Sequence, residues 1–230
     1  MRFQGKISPP GSEAELLANA RAMSAMSLAE LANARGIAVP DDQKRAKGWT
    51  GQLLESCLGA TAGSRSVPDF ERIGVELKTI PIGANGTPSE STYVCTADLI
   101  DARKSEWLKS RVRSKLNRVL WIPVEAFREK KLADRRIGSP LIWSPSPAED
   151  AVLQADWDEL TQMISMGQVE LITADLGDVL QIRPKGANSQ SRTWGVDESG
   201  HRFQTLTRGY YLRARFTSQL LQTHFAMPNR

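Results

Sequence analysis

Two hydrophobic periods alternate along this chain, one near 3.6 residues and one near 2, so helices and strands are predicted to alternate as well. Residues 12–26 read as a helix opened by Ser12, with Glu15 placed to complete a capping box. The same Ser-x-x-Glu start recurs at Ser27 and Glu30, and Gly36 supplies a stop for that second helix. Over residues 44–60, Leu53, Leu54, Cys57 and Leu58 form one apolar stripe from which Glu55 turns away. The first two of these helices can imitate a DNA-reading helix-turn-helix, but a small packing lobe is the commoner outcome and is expected here. Residues 73–80 then switch to period 2, with Ile73, Val75, Leu77 and Thr79 on one side and Gly74, Glu76, Lys78 and Ile80 on the other. A loop rich in Gly, Pro, Asn and Ser leads to a second extended run at 92–99, and the two runs are expected to pair as a hairpin.

The remainder continues the alternation. Residues 105–116 predict a helix that brings Arg111, Lys115 and Arg118 to one side, directly before an apolar strand at 119–124. Residues 127–137 form a basic connector. Ser146 and Glu149 make a capping-box pair around Pro147 at the first helical position, and Leu153, Trp157, Leu160 and Ile164 continue the apolar stripe until Gly167 ends it. A strand is expected at 178–183, followed by a polar, basic loop from Pro184 to Ser189. Short strands at 203–206 and 210–213 and a helix at 217–225 complete the outline.

With 230 residues the chain can form one domain of two lobes sharing a cleft, here placed at 1–105 and 106–230. No apolar run is long enough to span a membrane, and the first residues lack the pattern of a signal peptide, so a cytoplasmic protein is expected. Cys57 and Cys95 are not spaced with each other or with His201 and His224 as a zinc site requires, so both are expected to be reduced and structural. Net charge is only +4, which makes distribution matter more than total. Residues 103–118 hold seven basic side chains against the single acid Glu106, whereas 149–170 is predominantly acidic. That basic cluster is either a solvated face or a track for phosphates.

The chemistry centres on residues 66–80, SVPDFERIGVELKTI. On a strand, Glu76 and Lys78 project from the same face, putting a carboxylate beside an ammonium. A turn through PDFER lets Asp69 supply a second carboxylate, and two hard oxygen ligands suit Mg²⁺. Pro68-Asp69 followed by Glu76-Leu77-Lys78 resembles the PD-(D/E)xK signature of restriction-type nucleases. A solvated Glu and Lys on an edge strand is the ordinary alternative for the second half of that pattern. Glu55 is similarly either a helix-face acid or a further carboxylate near the metal.

Longer stretches narrow the choice. LESCLGATAGS, PDFERIGVELKTIP, RVLWIPVE, GSPLIWSP, LQIRPKGANS and YYLRARFTSQLL occur in the order they have in the MutH family of DNA mismatch-repair endonucleases, which the chain resembles over most of its length. The resemblance implies an α/β fold with a restriction-endonuclease-like mixed sheet flanked by helices and two lobes forming a DNA-binding cleft. It also implies Mg²⁺-dependent nicking of the unmethylated strand at hemimethylated GATC sites by a monomer, stimulated by MutL after MutS detects a mismatch. Carried over by position, Asp69 and Glu76 are the metal carboxylates, Lys78 the catalytic lysine and Glu55 a further active-site acid. Lys47 and Gly48 stand beside the DNA, Lys115 is a basic residue near the site, Arg183, Pro184, Lys185 and Gly186 form the recognition loop, and Tyr211 senses methylation. Tyr93 departs from the Phe of the best-known member but keeps an aromatic face for DNA contact. A type II restriction endonuclease of related specificity would share the metal residues, and a non-catalytic DNA-binding module would share the basic ones; the intact Asp69, Glu76 and Lys78 argue against the latter.

Overall fold

Local capping chemistry starts the helical opening, and the computed structural model, which describes residues 7–41, 48–185 and 191–225, shows how. Helix α1 (Glu13–Ala22) is capped by Ser12, whose hydroxyl accepts the Glu15 N–H. The expected box is only half formed, because the Glu15 carboxylate takes the Gly11 N–H at 2.6 Å. In α2 (Leu28–Arg35) both halves are present, and Gly36 closes the helix in the left-handed conformation at φ 65° that a side chain would strain. The third expected helix is α3 (Trp49–Leu58), started by Gly48; residues 44–47 lie outside the described residues.

Leucines from all three helices, among them Leu16, Leu31, Leu53 and Leu54, pack with Val75, Leu77, Leu120 and Ile122. Each fully buried Leu contributes about 1.5–3 kcal/mol, and this cluster gives strand β1 (Glu76–Ile82) its floor. The expected hairpin does not form. β1 leaves the next strand, β2 (Thr92–Thr96), unpaired with it and runs parallel to β3 (Val119–Glu125), with Glu76 opposite Val119 and Lys78 opposite Trp121. β4 (Leu141–Trp143) joins the far side of β3 antiparallel, making a mixed three-stranded sheet. Parallel pairing requires a long crossover, and the excursion through residues 83–118 supplies it.

The chain divides into two compact units, Met1–Glu90 with Asn117–Ser144, and Ser91–Leu116 with Pro145–Arg230. They differ from a single cut between 105 and 106: β3 returns to the first unit because β1 is its partner, while 91–105 belong to the second.

In the second unit the helix expected over 105–116 is shorter. A 3-10 turn at Trp107–Lys109 precedes α4 (Arg111–Leu116). Arg118 lies beyond its end and already belongs to the first unit, where it binds Glu13, so the three basic residues do not share one helical face. Lys115 is 8% exposed, which rules out the solvated-face reading for that side chain. Helix α5 (Pro147–Ser165) has its full capping box, and Leu153, Trp157, Leu160 and Ile164 are all buried. Buried Asp156 on α5 accepts N–H groups of Asp178, Val179 and Leu180 at 2.7–2.8 Å, pinning the start of β5 (Leu180–Pro184) to the helix. The sequence reading missed β6 (Arg192–Val196), which pairs with β7 (Arg202–Leu206) as a separate hairpin. β8 (Arg208–Leu212) sits between β2 and β5, antiparallel to both, and α6 (Ala214–Phe225) follows. The architecture is thus mixed α/β, with small sheets flanked by helices. Cys57 and Cys95 are both buried free thiols. Among the described residues no helix is long and apolar enough to cross a membrane.

Candidate active site

β1 is an edge strand, and its two edges treat backbone donors differently. The Glu76 N–H bonds Arg118 O beside β3, at 2.9 Å. The next N–H, on Leu77, points to the other edge because donor directions alternate along a strand, and there it meets Asp69 Oδ2 at 2.8 Å. Asp69 reaches it through a tight turn: Phe70 and Val75 exchange backbone hydrogen bonds across a 3-10 turn, Glu71–Ile73, that Gly74 closes at φ 67°. Its carboxylate is therefore fixed at the peptide between Glu76 and Leu77.

The loop before Asp69 is braced. Arg65 donates to Thr61 O at 2.7 Å, to Ala62 O at 3.2 Å and to both carboxylate oxygens of Glu71. The Arg65 bond, followed by one from Thr61 Oγ1, holds the Glu71 carboxyl below its ordinary range. The Thr61 N–H then binds Asp69 O at 2.9 Å, so the same brace holds the Asp69 main chain. Nothing in the sequence pattern singled out Arg65 or Glu71.

On the face of β1 opposite the helical core, Lys78 Nζ lies 3.2 Å from Glu76 Oε1. Glu76 is 5% and Lys78 7% exposed, so the pair is not the solvated decoration of an edge strand. Two charges are withdrawn from water here at a cost that a stability role would not require. The donors are a buried carboxylate, a second carboxylate fixed at the adjoining peptide and an ammonium. This hard-oxygen set fits Mg²⁺, which keeps several waters and binds few protein carboxylates. Glu55 is half-buried on α3, which packs against β1. Among the described residues no three His, Cys, Asp or Glu side chains come together as a ready-made cation cage.

The other expected residues group in the second unit. β8 places Tyr211 opposite Tyr93 of β2 on one side and opposite Gln181 of β5 on the other. The rings of Tyr93 and Tyr211 meet edge to face at 5.3 Å, and the Arg183 guanidinium stands 5.9 Å from the Tyr211 ring centre. Gly209 makes this possible: a Cβ there would lie 2.9 Å from the Tyr93 ring and 3.3 Å from that of Tyr211. Lys185 donates to the Tyr93 hydroxyl, its Nζ is 3.4 Å from Thr96 Oγ1, and Tyr93 and Thr96 bond each other at 2.9 Å. The Tyr93 hydroxyl thus holds the Lys185 ammonium. Neither Thr96 nor Gly209 was among the site residues expected from the sequence. Arg183 and Pro184 are exposed, and Tyr93, Lys185 and Tyr211 partly so, giving a basic aromatic face. On the opposite face Tyr210 is buried against Thr161, 3.0 Å between hydroxyls, and burial pushes its pKa well up. Lys115 lies in the last turn of α4, which packs on β2. Lys47 and Gly186 lie outside the described residues, while Gly48 starts α3 at φ 83°.

Comparison with known proteins adds the relationship. Residues 58–156 match the family model described as DNA mismatch repair enzyme MutH. The chain is 53% identical to the DNA mismatch repair protein MutH of Salmonella paratyphi C (strain RKS4594) over 223 residues, covering 97% of this chain and 96% of the relative. The same identity and coverage hold for the proteins of that name from Salmonella choleraesuis (strain SC-B67) and Salmonella paratyphi B (strain ATCC BAA-1250 / SPB7).

Proposed function

The chain belongs to the MutH family of DNA mismatch repair proteins, and on that footing we propose that it is a Mg²⁺-dependent endonuclease that nicks the unmethylated strand of hemimethylated GATC sites. The observation that carries this reading is the buried Glu76–Lys78 pair beside the clamped Asp69. Asp69 and Glu76 hold the metal, which when bound neutralises charge on the phosphoryl and departing 3′ oxygens. Asp69 contributes a carboxylate whose position is set by the Leu77 N–H and by the braced loop. Lys78, oriented by Glu76 in a water-poor setting, directs its N–H groups at the attacking water or at a phosphoryl oxygen, where low dielectric strengthens them. Glu55, on the helix that packs against β1, is the further acid that the family resemblance assigns to this site.

Recognition falls to the β2–β8–β5 face. Adenine shows N7 and its N6 amino group in the major groove, and a methyl on N6 changes that surface without altering pairing. Tyr211 senses the methyl, Arg183 and the Lys185–Gly186 loop bind the site, Tyr93 packs beside them, and Lys47, Gly48 and Lys115 bind DNA alongside. One catalytic centre per monomer produces a nick, which suits strand-directed repair in the cytoplasm under stimulation by MutL, itself coupled to MutS.

The test is to incubate the protein with Mg²⁺ and plasmids carrying unmethylated, hemimethylated or fully methylated GATC. Nicked products from the first two, absent from the third and strengthened by MutL, are expected. Efficient linearisation without any partner would replace this reading with a type II restriction endonuclease. No strand breakage on any plasmid, with or without MutL, would overturn both.

A further inference from the structure

The β6–β7 hairpin has one face fastened to the protein and one face open. Paired residues of an antiparallel ladder share a face, so Thr193, Gly195, Phe203 and Thr205 lie on one side and Arg192, Trp194, Val196, Arg202, Gln204 and Leu206 on the other. The first side is held down. Thr205 is fully buried and its hydroxyl binds Glu170, Gln168 binds Glu198 at 3.2 Å, and a Cβ on Gly167 would lie 2.1 Å from the Asp197 carbonyl carbon.

The open side carries Trp194, 48% exposed, with exposed Arg192, Arg202 and Gln204 around it. Among the described residues neither arginine side chain has a hydrogen bond or an ion pair; only their main chains are engaged, in the ladder. The nearby acids are occupied elsewhere: Asp197 Oδ1 accepts the Ser199 and His201 N–H groups of the tip, Glu198 takes Gln168, and Glu170 takes Thr205 and Arg208. Val196, the partner of Arg202, lies four positions on from Arg192, so the two guanidiniums stand at opposite ends of a strip about 14 Å long with the indole between them. An aromatic between two uncompensated cations on a rigid ribbon complements a polyanion with apolar sugar edges.

The hairpin also continues from the recognition loop. The Lys185 N–H binds Thr207 O at 2.7 Å, and the Thr207 N–H binds Ser191 O at 3.0 Å, so Lys185 and Ser191 are both fastened to the β7–β8 connection. We propose that the Arg192–Trp194–Arg202 face is a second DNA contact, seated on the phosphate backbone outside the four recognition bases. It extends the footprint beyond the site that Arg183, Lys185 and Tyr211 read. The inference rests on the endonuclease reading above.

The experiment compares Arg192→Gln/Arg202→Gln and Trp194→Ala with the wild type on two duplexes carrying one GATC. The short duplex ends just outside those bases; the long one extends more than a helical turn on each side. On the long duplex the double Arg variant is expected to lower the slope of log affinity against log salt by about 1.8, at about 0.9 per phosphate contact. On the short duplex the slopes are expected to coincide. The long duplex should also shield wild-type tryptophan fluorescence from a soluble quencher, and Trp194→Ala should lose that shielded fraction. Equal slopes for wild type and double variant on the long duplex, or equal losses on both lengths, would overturn the proposal. So would shielding that survives Trp194→Ala. Wild-type nicking of GATC plasmids, run alongside, separates the two readings: if it occurs while the hairpin variants behave as wild type, only the second contact fails.

Discussion

Replacing Glu76 by Ala should do more than remove a metal ligand, because it strands the ammonium of Lys78. Among the described residues Glu76 is the partner of Lys78, 3.2 Å away, and the lysine is 7% exposed. With an effective dielectric of about 20, unit charges at that separation attract by about 5 kcal/mol, against which stands the cost of desolvating both. Losing one member of such a pair costs about 3–5 kcal/mol, whereas replacing both by apolar groups is close to neutral. Glu76→Ala is therefore expected to be strongly destabilised. Adding Lys78→Met should recover about 1–3 kcal/mol of that loss as a coupling energy. Urea unfolding followed by circular dichroism, with m constant across wild type, both singles and the double, measures the cycle. Nicking should be lost in all three variants, so recovered stability without recovered activity separates folding from chemistry. Additivity within about 0.5 kcal/mol would refute the argument that the two charges depend on each other. A Glu76→Ala enzyme nicking at near wild-type rate would remove the metal-site assignment.

Four further outcomes are expected. Asp69→Ala should abolish nicking while leaving most DNA binding, since phosphate contacts come mainly from Lys and Arg; binding lost in parallel with cleavage in a gel-shift assay would contradict this. Tyr211→Ser should lower discrimination between unmethylated and methylated strands more than nicking of unmethylated GATC, whereas Arg183→Ala should impair recognition of GATC itself; initial rates on matched duplexes decide, and undiminished discrimination in Tyr211→Ser would place the methyl sensor elsewhere. Lys115→Ala should weaken binding across sequences and reduce the salt slope by about 0.9, with specificity barely changed; an unaltered slope counts against a phosphate contact. The paired hydrogen bonds from Arg118 hold the Glu13 carboxyl below the ordinary glutamate value of 4.5, outweighing burial, which pushes it up. Because the folded pKa is the lower one, the stabilisation is fully present above 4.5 and fades as pH falls toward the lowered value, so the stability gap between wild type and Arg118→Met should close on acidification. A gap that widens below pH 4.5 would reverse the assignment.

By itself the sequence determined whatever depends on near neighbours. Capping chemistry at Ser27 and Ser146, the apolar stripes of α3 and α5, and the shared face of Glu76 and Lys78 follow from residues a few positions apart, where backbone geometry leaves little choice. The order of long motifs also carried the family, a relationship that geometry alone does not supply. Tertiary structure decided the partners. Adjacent extended runs looked like a hairpin, yet β1 chose β3 some forty positions on and β2 chose β8, because pairing is settled by which faces can be buried together. Burial was equally illegible: the same Glu-x-Lys spacing serves a wet edge or a dry site, and what packs above and below the strand makes the difference. The same holds for Tyr93, whose hydroxyl meets Lys185 across 92 positions, a contact that exists because β8 brings two distant strands to either side of one glycine.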